Sequence, residues 1–498
     1  MNRRSFIRNS MSLAALSFCR PGVAFAAPHG EHLKGTPNLI FGLLSDIHVR
    51  LIPGKNGVYF TEFFKKSLEL FRDNGADAVV AAGDLINSGV ADEFQAFADT
   101  WFSVFPDDKA PDGRKVERIF VCGNHDVSIP MARRICNNDK NEMKKRAIAL
   151  DKAKWWKKLF NEEFSEIYRK NVKGYDFIGA HWEGGLKGRD DSFCKEIEPF
   201  YEKIAPTLDK SKPFFHVQHP HPKGTCHGNE VWGQDDGVST KVLSKFPNAI
   251  AFSGHSHNSL LDEKLIWQGA FTSVGTATAS HIGLSSLRAG VPGGYENYKS
   301  TGRSAKEKAA ADRSKVMPML NRTLGRQAQL VRVYDDRIVF TRYDLYDLKP
   351  LAEDLVLPLT DMKVKPFAYE PRYAVAKIPQ FPKDAKITVK KGKALRRGIE
   401  KKGRKTDAIT FTAPAANAEP SAKGVYYKLV AEADGKSKEF AIIHDSFRFR
   451  AEDARSEAPV KFCIATDRLP KGEVTFKLSG YSWWNKKSEP LEVKCSIV

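Results

Sequence analysis

Five apolar runs constrain this 498-residue chain more than anything else in it, because each stops at a short turn loaded with aspartate, asparagine or histidine. Leu39–Leu44 leads into Asp46-Ile47-His48, and Ala78–Ala82 into Gly83-Asp84. Ile119–Cys122 leads into Gly123-Asn124-His125-Asp126, and Phe214–Val217 into Gln218-His219-Pro220-His221-Pro222. Ala249–Phe252 leads into Gly254-His255-Ser256-His257. Short apolar runs bounded by such turns read as buried strands. Strands that end alike deliver their last side chains to one edge of a sheet, where open α/β folds bind ligands. Carboxylates, an amide and several imidazoles suit a pair of divalent ions. The lack of thiolates argues against a structural zinc.

Taken in this chain order, the five blocks resemble the calcineurin-like metallophosphoesterase superfamily over residues 38–350. The resemblance implies an α/β (α+β) four-layer fold, a central β-sandwich flanked by helices. It implies two divalent metal ions, Mn, Fe or Zn, one on Asp46, His48 and His257 and the other on Asn124, His219 and His255. Asp84 would bridge them, and His125 would stand beside them as the catalytic proton donor. Two ions about 3.5–4 Å apart clamp the attacking and leaving oxygens of an in-line displacement at phosphorus, and they lower the pKa of a shared water. A positioned acid adds ~10²–10⁴-fold. The implied activity is hydrolysis of a small phosphate mono- or diester by bridging hydroxide, with no covalent intermediate.

Departures within the blocks narrow the family. Gly83-Asp84-Leu85-Ile86-Asn87-Ser88-Gly89 lacks the second Asp and the Arg of the protein Ser/Thr phosphatases. His48 and Asn87 stand where purple acid phosphatases carry a glycine and a tyrosine ligand. The pattern looks more like the broad class that includes bacterial cyclic-nucleotide phosphodiesterases and exported phosphoesterases. Alternatives are a metal-dependent nuclease and a non-catalytic binding scaffold; the filled ligand positions speak against the second.

Neighbouring residues leave some alternatives open. His216, His221 and His227 crowd His219, which is preferred because it directly follows its strand. Asp126 reads as a turn cap. His181 and Glu183 either line the pocket or pack. Trp155, Trp156, Phe160, Phe164 and Tyr168 recur at near-helical spacing, as a core-facing helix or a nucleobase-stacking platform. Helices are also expected over Thr61–Asp73, Ala91–Phe102 and Ile197–Ala205, and a hairpin around Asp335-Asp336-Arg337.

Residues 1–26 read as a signal peptide of twin-arginine type, with Arg3-Arg4-Ser5-Phe6-Ile7-Arg8, an apolar stretch over Met11–Phe18 and Ala24-Phe25-Ala26. Export to the periplasm or beyond is therefore expected. No later stretch approaches the ~18 apolar residues of a membrane helix. The net charge of +19 favours anionic partners. Nine basic residues and one acid fall within Lys390–Lys405, a solvated loop or a polyanion contact. Residues 284–326 read as a substrate-covering loop or a disordered one. Pro350–Pro382 reads as a linker into a β-sandwich accessory domain, 365–498, whose seven short β-like runs suggest an immunoglobulin-like sandwich. Polyanion or glycan contact is expected of that domain, with Trp483-Trp484 either packed or a glycan platform. Cys463 and Cys495 are close enough in pattern for a disulfide, a question the sequence leaves open.

Overall fold

The five apolar runs are strands of two stacked sheets, and alternation along each strand decides which layer its side chains enter. Leu39–Leu44, Ala78–Ala82 and Glu117–Val121 lie parallel in the first sheet. It continues antiparallel through Gln327–Val333, Arg337–Asp344 and Asp354–Pro358. The second sheet runs Ile167–Val172, Tyr175–Ala180, Phe214–Val217, Ala249–Ser253, Thr272–Gly275, Ile266–Gln268. The computed structural model describes residues 26–27, 31–55, 57–183, 193–228, 231–282, 325–361, 364–395, 405–418, 422–444, 446 and 457–498. The signal segment up to residue 25, residues 284–324 of the expected covering loop and residues 396–404 of the basic run lie outside them.

Leu39, Phe41 and Leu43 face the second sheet. There the Phe41 ring meets Phe177, Phe215 and Phe252 edge-on, at 5.3, 5.1 and 5.7 Å between centroids. Leu44 faces the other way, into a layer with helices Glu62–Asp73, Ala91–Val104 and Lys152–Phe160. Gly42 lies where helix Glu62–Asp73 crosses the strand; a Cβ there would overlap the Phe71 ring. Helices Ile197–Ile204 and Val238–Leu243 cover the outer face of the second sheet. The result is four layers, helix, sheet, sheet and helix.

Three expectations need correction. The aromatic helix ends at Phe160, because Asn161 turns left-handed at φ 54°. Phe164 follows in a loop, and Tyr168 belongs to strand Ile167–Val172. Trp155, Trp156 and Phe160 are buried, so this stripe packs in the core and offers no base-stacking platform. The stretch read as a linker from Pro350 begins with strand Asp354–Pro358 of the first sheet and includes helix Tyr369–Val375.

The C-terminal strands form two sheets of their own. Thr388–Leu395, Lys405–Ala413 and Val460–Ala465 make one. Lys436–Ile443, Tyr426–Ala433, Gly472–Tyr481 and Leu491–Ile497, in that order, make the other. Ile409, Phe411 and Phe462 pack against Tyr427, Leu429 and Phe476 between them. Cys463 and Cys495 sit on separate sheets and are free thiols. Trp483 and Trp484 are buried, and Trp484 packs on Tyr369 at 5.5 Å, so neither is a surface platform. Among the described residues no helix is long and apolar enough to cross a membrane.

Candidate metal centre

At the ends of the strands the turns hold one another before any side chain is considered. The Asp46 amide donates to Gly83 O at 2.9 Å, and the amides of Ile47 and His48 to Asp84 O at 2.9 and 3.0 Å. The Gly254 amide donates to His219 O at 3.0 Å, joining the fourth and fifth turns. Asp46, His48, Asp84, His255 and His257 all have left-handed backbone, with φ of 48, 50, 51, 69 and 55°. Such values are uncommon outside glycine and gather at functional sites, where surrounding structure enforces them. The turn glycines allow close approach. A Cβ on Gly83 would overlap the His219 ring, one on Gly123 the Asp84 carboxylate, and one on Gly254 Ser45 and Asp46.

Each aspartate has one tethered oxygen and one that faces the imidazoles. Asp46 Oδ2 accepts from the Ser45 hydroxyl at 2.5 Å and the His255 amide at 3.0 Å. Its Oδ1 lies 2.9 Å from His257 Nε2 and 4.0 Å from His219 Nε2. Asp84 Oδ1 accepts from the His125 amide at 2.9 Å. Its Oδ2 lies 3.2 Å from His219 Nε2 and 3.6 Å from His48 Nε2. On the imidazoles, His219 Nδ1 donates to Ala82 O and His257 Nδ1 to His281 O, both at 2.8 Å. Those bonds turn each Nε2 lone pair inward, as outer partners do for metal-bound histidines.

Two groups result. In Asp46, His48, Asp84 and His257 the ligand atoms all lie within 4.8 Å of one another, and so do those of Asp84, His219 and His255. Asp84 is the one member of both. Asn124 Oδ1 is buried with no hydrogen-bond donor, which is costly unless something else satisfies it. Among the described residues no other group of histidines, cysteines and carboxylates comes together this way.

Burial works against the charge on Asp46, yet His257 and His219 outweigh it and hold the carboxyl below its usual range. Asp84 is likewise held well down, by His219 and His125 against burial. Burial keeps His48 neutral and pushes His255 down to about 3. Against the pull of burial, Asp84 carries His219 up to about 9 and Asp46 raises His257. Ionised carboxylates, imidazoles that a cation would hold in place of a proton, and an orphaned amide oxygen fit two divalent cations, hard enough for oxygen and soft enough for nitrogen.

Residues 39–259 match the family model for calcineurin-like phosphoesterases. The chain carries a calcineurin-like phosphoesterase domain. No curated protein matches it. Similar solved structures include GAP50, the anchor in the inner membrane complex of Plasmodium, at 12% identity over 65% of this chain and 89% of that one, with a TM-score of 0.34. A conserved uncharacterized protein of Streptococcus pneumoniae TIGR4 is similar at 11% identity over 64% and 97%, with a TM-score of 0.25. Vps29 complexed with zinc from Entamoeba histolytica is similar at 9% over 65% and 100%, with a TM-score of 0.27.

Within the phosphoesterase domain, His125 stands outside both groups. Its Nδ1 is 2.7 Å from Asn87 O, its Nε2 is 4.0 Å from Asp84 Oδ2, and its side chain is 24% exposed. Asp126 is buried and accepts the amides of Gly123, Ile86 and Leu85 at 2.6, 2.8 and 3.2 Å, a tie between the second and third turns. The other histidines of the fourth block lie elsewhere. His216 bonds Tyr201 and Gln218, His221 bonds Ser253 and Ser256, and His227 bonds Asp262. His181 packs among Trp156, Phe164 and Tyr168 and accepts the Cys122 amide at 2.9 Å; Glu183 accepts the Lys195 amide. Both pack.

Four residues at the centre carry no motif in the sequence. Trp232 stacks on His255 at 4.3 Å and 30°, and Trp182 flanks the same ring at 5.5 Å. The His281 ring lies 4.3 Å from His257, and Arg50 Nη1 donates to His48 O at 3.1 Å. Isolated aromatics and a lone arginine give no periodicity to detect.

Proposed function

We propose that this chain is a metal-dependent hydrolase of phosphate mono- or diesters. One observation supports it above all: Asp84 belongs to both ligand groups, as a bridging carboxylate must. Asp46, His48 and His257 would hold one divalent cation; Asn124, His219 and His255 would hold the other. Bound there, Mn, Fe or Zn ions would supply charge neutralisation at phosphorus and activation of water near neutral pH.

The chain's own groups then divide the remaining work. Asn87 O fixes the His125 ring so that Nε2 is the nitrogen on the side of Asp84. From there His125 gives its proton to the departing alkoxide or aryloxide oxygen. Trp182 and Trp232 pack against the His255 ring and keep it dry, consistent with its low proton affinity. An excess of positive charge draws anionic substrate in. We also read the N-terminal pattern as twin-arginine export to the periplasm, and the C-terminal sandwich, on its strand order, as an immunoglobulin-like accessory domain.

The test is Asp84→Asn in protein reconstituted with Mn²⁺ and assayed on p-nitrophenyl phosphate and bis-p-nitrophenyl phosphate. Metal content at both positions should drop and turnover should fall by more than ~100-fold. Near-normal turnover on both esters would sink the proposal.

A further inference from the structure

One strip of backbone, Thr276 to Ile282, finishes a single ligand group. Thr276 Oγ1 donates to Ser45 Oγ at 2.6 Å, and the Ala279 amide donates to Ser45 O at 3.1 Å. Thr278 Oγ1 donates to Asp46 O at 2.9 Å. His281 O receives the His257 Nδ1 proton at 2.8 Å. Ser280 Oγ receives Arg50 Nη1 at 3.3 Å, and the same nitrogen donates to His48 O. Asp46, His48 and His257 are therefore all braced from this strip. The hydrogen bonds that orient Asp84 and His219 come from elsewhere, from the His125 amide and Ala82 O.

The strip ends in the other domain. Ile282, 2% exposed, is seated in a cluster with Val425, Tyr426, Ala441 and Trp483 of the C-terminal sandwich. Leu261, four residues beyond His257, packs against that cluster as well. A buried branched side chain has little freedom to shift without opening a void. The peptide that precedes it carries the carbonyl on which the His257 tautomer depends.

We propose that the sandwich is a positioning element of the metal centre: Ile282, gripped by Val425, Tyr426 and Trp483, fixes the His281 carbonyl that orients His257. The inference rests on the two-cation reading above and adds an asymmetry to it. Loosening the grip weakens the cation on Asp46, His48 and His257 and spares the one on Asn124, His219 and His255.

Calorimetric titration of the full chain with Mn²⁺ distinguishes the two ideas. Unaltered protein should show two binding events. In Ile282→Ala one event should weaken by ~10–100-fold, the range seen when an outer partner of a metal-bound histidine is lost, while the other stays within about twofold. Trp483→Phe should give the same asymmetry, in a smaller degree, from the sandwich side. Should Ile282→Ala fail to fold, Ile282→Val decides by the same criterion. Two unchanged events, or two events weakened alike, overturn the inference while the two-cation reading survives. Fewer than two events in unaltered protein overturn that reading, and the inference with it.

Discussion

Asp126→Ala tests how the second and third ligand turns are held together. The Asp126 carboxylate is buried and takes three amide hydrogens, from Gly123, Ile86 and Leu85. Its removal strands three donors, at roughly 1–3 kcal/mol each when buried and unpaired. A simple sum overstates the loss. The Leu85 bond is long, at 3.2 Å, and a water entering the vacated space restores part of it. The ion is also costly to keep, since burial and the neighbouring Asp84 charge push the Asp126 carboxyl up to about 8. A net cost of about 3 kcal/mol follows, worth more than ~100-fold in a local opening equilibrium. Hydrogen–deuterium exchange of peptides covering residues 83–87 and 123–126 should accelerate by that factor. Strand Tyr426–Ala433 in the sandwich serves as an unaffected control. Asp126→Asn keeps one acceptor oxygen and should fall between. Exchange within threefold of the unaltered protein in Asp126→Ala would refute the tie.

His125→Ala should leave cation binding intact and slow esters with poor leaving groups by ~10²–10⁴-fold, with activated aryl esters slowed far less; equal slowing across leaving groups rules out the proton-donor role. Glu93 offers a pH test. Its buried carboxyl accepts the amides of Asn87 and Ser88 at 3.2 and 2.7 Å, and burial raises it from 4.5 to about 7. The folded chain thus holds this proton more tightly than the unfolded chain, so stability is lost as pH rises from 4.5 through 7, by on the order of 1–3 kcal/mol. Melting curves between pH 5 and 8 should lose that share of their slope in Glu93→Gln; identical slopes would exclude it.

The layered fold was legible because its strands are short, apolar and punctuated. Phe41 and Phe215 can go only into a core, and a ligand-type residue next to such a run has only a sheet edge to occupy. His219 and His221 part company for a local reason: His219 leaves the strand and reaches Ala82 O of the facing sheet, whereas His221 is taken by two serines. Other features depend on contacts that no local pattern encodes. Trp232 reaches His255 from a loop, and His281 lies 24 residues beyond the histidine whose proton its carbonyl receives. Strand Asp354–Pro358, which lies between Arg337–Asp344 and Ala26–Ala27, was hidden by the prolines at 350 and 358. Tyr168 misled because strand and helix spacing coincide over so short a span.

The left-handed bends at Asp46, His48, Asp84, His255 and His257 have a further consequence. Amide-to-carbonyl bonds between turns close several of them, so their shape is set by the polypeptide as it folds and not by whatever later enters. Conformational entropy is surrendered once, during folding, and a visiting ion meets a finished cradle. Ions should then come and go by exchanging solvent shells alone, quickly and without reordering the chain, and a swap between metals of unlike radius would register as altered affinity while the main chain stays put.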